Sequence, residues 1–107
     1  MSPIWQAIRD LITRGDLKIS NHGYDELAAD GILAMDVVEG AQGAEVIEDY
    51  PNYPKGPCVL VLQRNASGQP VHVLWGIPRG HSSPAVLVTA YRPDTLRWEQ
   101  DFKRRKP

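Results

Sequence analysis

The strongest constraint on this chain is a change of hydrophobic period near residue 44. Before it, apolar residues recur three and four apart, as on a helix face. Beyond it they alternate or run together, as in strands. Ser2-Pro3 offers an N-cap and a first helical residue whose φ is already set, and Ile4, Trp5, Ile8, Leu11 and Ile12 follow at helical spacing until Gly15. A second helix is predicted after a Ser20 or Asn21 cap, with Tyr24, Leu27 and Ala28 facing the core and Gly31 ending it. A third, short helix spans about Ala34 to Ala41 and buries Val37 and Val38.

Four strands are predicted next: Ala44–Tyr50, Cys58–Gln63, Val71–Ile77 and Ala85–Tyr91. The Asn65-Ala66-Ser67-Gly68 turn joins the second and third as a hairpin. Along the third, Val71, Val73, Trp75 and Ile77 share a core face, while His72, Leu74 and Gly76 point away from it. Along the last, Leu87, Thr89 and Tyr91 are expected on one face and Val86, Val88 and Ala90 on the other. The class is α+β: two or three N-terminal helices packed on one face of a four-stranded, mostly antiparallel sheet. With 107 residues the chain is expected to be a single domain, 1–107, with a short basic C-terminal tail from about residue 99.

Composition narrows the function classes. No apolar run approaches the roughly 20 residues of a membrane span, and no secretory leader is visible, so a cytoplasmic protein without a membrane partner is expected. The single cysteine, Cys58, excludes an internal disulfide and a multi-cysteine zinc site. It opens an apolar strand and reads as a small core residue. The net charge of −1 hides an asymmetry. Residues 1–53 carry three bases and ten acids, or −7, and residues 54–107 carry nine bases and three acids, or +6. If the halves are separate in space, the basic one suits a nucleic-acid backbone.

The chemistry rests on histidines. His22 falls in the first turn of the second helix, where the helix dipole disfavours a positive ring and leaves an imidazole able to take a proton. Glu26, one turn on, can orient it. His72 lies mid-strand, and His81 is in an exposed loop. Two histidines suffice for RNA cleavage without metal or cofactor: His22 as base towards the ribose 2′-hydroxyl and His72 as acid towards the leaving oxygen. Arg92 would clamp the phosphate, Tyr91 would position the substrate, and Lys103, Arg104 and Arg105 would hold backbone phosphates. Glu26 and Thr89 would support the site. A non-catalytic RNA- or protein-binding module is the alternative. A metal domain built from His22, Glu26 and His72 is a third reading.

Several short runs, in order, resemble the DUF4258 family of small bacterial proteins. They are Ser20-Asn21-His22-Gly23-Tyr24, Val46-Ile47-Glu48-Asp49-Tyr50, Pro57-Cys58-Val59-Leu60, Val71-His72-Val73 and Thr89-Ala90-Tyr91-Arg92-Pro93 with Trp98. That family is similar to RelE-like toxins, compact α+β endoribonucleases often paired with an antitoxin. The resemblance implies a toxin-type endoribonuclease using His22 and His72, with RNA and a cognate antitoxin as partners. Many members carry arginines where this chain has Glu26 and Asp30.

Overall fold

The computed structural model describes residues 2–107. Three helices, α1 (Pro3–Thr13), α2 (Asn21–Ala29) and α3 (Ala34–Gly40), accompany five strands. The strands are β1 (Leu17–Ile19), β2 (Glu45–Tyr50), β3 (Cys58–Arg64), β4 (Pro70–Gly76) and β5 (Ala85–Tyr91). They form one sheet in the order β1-β5-β4-β3-β2. β1 runs parallel to β5, and every other pair is antiparallel. The mixed α+β class follows from the sequence, but the sheet has five strands, not four. Leu17–Ile19 is too short for any alternation to show, and β5 rather than local pattern recruits it as an edge.

Both long helices start where the sequence caps them. Ser2 Oγ accepts the Trp5 N–H, and Ser20 Oγ accepts the Gly23 N–H at 2.9 Å. One apolar cluster joins Trp5, Ile8, Leu11 and Leu27 to Val59, Val61, Val73, Trp75 and Leu87 of the sheet. Burying each such side chain stabilises the fold by about 1.5–3 kcal/mol. Trp75 is fully buried, and its Nε1 donates to Gln63 Oε1, while Gln63 Nε2 donates to the Val37 carbonyl. The one buried side-chain amide among the described residues is thereby satisfied at both ends.

Two expected faces are corrected. Tyr24 and Ala28 do not face the core: Tyr24 is 57% exposed, and Gly23 and Leu27 take the buried side of α2. A Cβ at position 23 would lie 2.8 Å from the Leu87 carbonyl oxygen, so only glycine lets α2 approach β5 this closely. In β5 the alternation slips. Thr89 pairs with Leu74 and Leu87 with Trp75, which leaves Val88 as an unpaired bulge residue. Thr89 and Tyr91 therefore share the face of Leu74 and His72, while Leu87 joins Trp75 and the core.

Candidate functional site

The sheet face away from the main cluster is divided in two. One half is an open groove of about 840 Å³. Its floor is apolar, built from Cys58, Leu74, Val86 and Val88 on three adjacent strands. Its rim is polar: Lys18 from β1, Ser20, Asn21 and His22 from the start of α2, Tyr53 and Lys55 from the loop between β2 and β3, and Thr89. Among the described residues, no Asp or Glu lines it.

Local structure places each rim group. Ser20 N donates to the Leu87 carbonyl and Ser20 Oγ to the Val88 carbonyl, which docks the start of α2 on the bulged strand and brings His22 to the rim. The 51–57 loop is stitched to the end of β4 by Ile77 N to Pro57 O and Arg79 N to Lys55 O. Gly56 has φ 130, and a Cβ there would collide with the Ile77 carbonyl. That close crossing holds Lys55 and Tyr53 over the groove. His22 is 65% exposed, with Nε2 3.7 Å from Glu26 Oε1. Burial raises the pKa of the Cys58 thiol, which suits a floor residue rather than a nucleophile.

The other half of the face is covered. His72 is fully buried. Its Nε2 donates to the Phe102 carbonyl at 2.6 Å, and Nδ1 lies 3.2 Å from the Tyr91 hydroxyl, which donates to it in the tautomer that the first bond requires. The Trp98 ring stands edge-on to the imidazole at 4.3 Å. Burial lowers the pKa of His72, and the nearby Arg105 charge adds to that against the Phe102 bond and Glu48. Both ring nitrogens are thus used inside the fold. The expected pairing of His22 with His72 is not assembled, since His72 is absent from the groove that His22 lines. The trio His22, Glu26 and His72 does not converge, and among the described residues no three metal-ligating side chains cluster.

The remaining expected site residues are also engaged. Arg92 Nε donates to the Asp30 carbonyl and Nη1 to Gln69 Oε1, while the Arg92 N–H is accepted by Asp30 Oδ2. This accounts for the acid at position 30: it fastens the end of α2 to the end of β5. Lys103 pairs with Glu45 at 2.8 Å, Arg104 with Asp101 at 3.0 Å and Arg105 with Glu48 at 3.0 Å. Arg105 also lies over the Trp98 ring, 4.6 Å from its centre. Tyr91 is half-buried beside His72. The acidic and basic halves of the chain therefore interlock through Asp30, Glu45 and Glu48 rather than standing apart.

Of the expected residues, the structure brings His22 and Thr89 together at the groove, with Glu26 beside His22. Sequence reasoning missed Lys18, Tyr53 and Lys55. Lys18 sits in the unrecognised edge strand, and the other two lie in a loop whose path is set by tertiary contact. The available signal was Lys55-Gly56 between two prolines, a cation beside a residue free to adopt positive φ.

The family model for a domain of unknown function, DUF4258, matches residues 19–92, from the end of β1 to just past β5. No curated protein and no solved structure matches the chain.

Proposed function

Because the chain belongs to the DUF4258 family, whose function is unknown, we propose a role from the groove itself: it binds a stretch of single-stranded RNA on the open half of the sheet. The observation that carries this is a groove lined by Lys18, Lys55 and His22 and by no carboxylate, with Glu26 pairing with His22 from outside that lining, in a chain with 13 acidic residues. Phosphates want the cations. Bases want the flat apolar floor and an aromatic face, and Tyr53, 48% exposed, offers one worth about 1–3 kcal/mol per stacked base. Asn21, Ser20 and Thr89 add neutral hydrogen-bonding groups for base edges or the 2′-hydroxyl. A duplex hides its base faces, so a single strand fits this floor better.

The test is a titration of fluorescent oligouridine at low salt beside duplex RNA of equal length. The single strand should bind at least about tenfold more tightly. Equal binding, or none, contradicts the proposal; none at all would leave a protein partner as the better reading.

A second reading, cleavage of the bound strand, draws on the exposed His22–Glu26 pair, which suits removal of a proton from a 2′-hydroxyl. The acid in such a step would have to be something other than His72 as it stands. Products ending in a 2′,3′-cyclic phosphate, abolished by His22→Ala, would support it. Intact RNA after long incubation leaves binding alone.

A further inference from the structure

We propose that residues 94–107 form a displaceable strap over a second half of the RNA surface, and that a bound strand extends into that half by lifting it. This rests on the groove being an RNA site.

The strap lies where the groove would continue. Leu74 and Thr89 line the groove, and the next residues on that face of β4 and β5 are His72 and Tyr91. Trp98 stands against His72, and the Phe102 carbonyl binds it. Without the strap, His72 and Tyr91 would add two rings to the platform, the kind of surface on which bases stack.

Trp98, 4% exposed, anchors the strap against His72, and the fastenings at its outer edge are of an exchangeable kind. The strap is closed on itself as a small hairpin by a Trp98–Arg105 bridge, with Glu99 N bonded to the Arg104 carbonyl and Lys106 N to that of Arg97. It reaches β2 through two solvent-facing ion pairs, Lys103–Glu45 and Arg105–Glu48. Such pairs are weak and screened, and a phosphate can replace either carboxylate. A lifted strap would carry Lys103, Arg104, Arg105 and Lys106 to the backbone of the strand that displaced it.

The latch itself is strained. Phe102, whose carbonyl holds His72, has φ 58, and it is the one non-glycine residue at positive φ among the described residues. A bulky side chain in the left-handed region persists only where surrounding contacts hold it there, and releasing the contact releases the strain.

Hydrogen exchange on the intact protein, with and without an oligouridine about a dozen nucleotides long, tests the proposal, with binding followed separately by anisotropy. So small a hairpin is marginal once it leaves the sheet, so the amides of Glu99, Phe102 and Lys106, bonded within the strap, should exchange faster in the complex. Glu45→Gln with Glu48→Gln should loosen the strap without RNA and tighten RNA binding about threefold beyond a charge-matched control, Asp10→Asn with Glu39→Gln. RNA binding with strap exchange unchanged or slowed, or a double variant no tighter than its control, overturns the strap and leaves the groove reading intact. Absence of RNA binding in every variant overturns both.

Discussion

The imidazole of His72 donates from Nε2 to the carbonyl oxygen of Phe102 at 2.6 Å, across 30 residues of chain. That bond turns the most suggestive residue of the central strand into a structural one. Its partner nitrogen takes the Tyr91 hydroxyl, so the neutral ring bridges β4, β5 and the segment that packs over them. A histidine so placed has no free nitrogen for a substrate until something moves.

His72→Ala should therefore weaken the fold before it weakens any activity. It removes a fully buried ring and leaves the Phe102 carbonyl without its partner. The expected loss is about 2–4 kcal/mol, read from the midpoint of urea denaturation. An unchanged midpoint would mean that the ring is not buried as described.

The same residue sets a pH dependence. Its pKa is lowered in the folded protein, mainly by burial, so between the folded and unfolded values the unfolded chain binds the extra proton. The contribution from His72 is then fully present above its ordinary value of 6.5 and is lost as pH falls through the lower folded value. Urea midpoints should decline from about pH 7 to pH 5, and His72→Gln should flatten that slope. A slope that is the same in the variant would assign the effect to other groups.

Gly23→Ala should destabilise, against the usual trend for a helix. Alanine favours a helix interior by about 1 kcal/mol over glycine. Here its Cβ would meet backbone oxygen at 2.8 Å and Leu87 Cδ2 at 3.0 Å, and the carbonyl cannot rotate away. The net cost should be about 1–3 kcal/mol, seen as a lower denaturation midpoint. A more stable variant would show that α2 does not lie this close to β5.

The sequence carried much of this architecture because local signals agreed with it. Ser2-Pro3 and Ser20 cap the helices that they promised, and Val71, Val73 and Trp75 enter the core on one face of their strand. What was illegible depends on distant chain. Val88 reads as one more alternating residue, yet the pairing skips it, and that slip moves Thr89 and Tyr91 to the face of His72. The tail reads as a free run of cations, yet Glu45 and Glu48 of an edge strand take two of them. The groove was least visible of all, since Lys18, His22 and Lys55 come from an edge strand, a helix start and a loop.

The groove as an RNA site is tested most directly by the salt dependence of oligouridine binding in the wild type and in Lys18→Ala with Lys55→Ala. Both lysines are exposed on the rim, so the pair can be removed without touching the core. Each phosphate neutralised on a single strand contributes about 0.7 to the slope of log affinity against log salt. The double variant should bind more weakly, with a slope shallower by about 1.4, while its denaturation midpoint stays within roughly 0.5 kcal/mol of wild type. An unchanged slope and affinity in that variant would contradict the account, because the strand would then be held somewhere other than the groove.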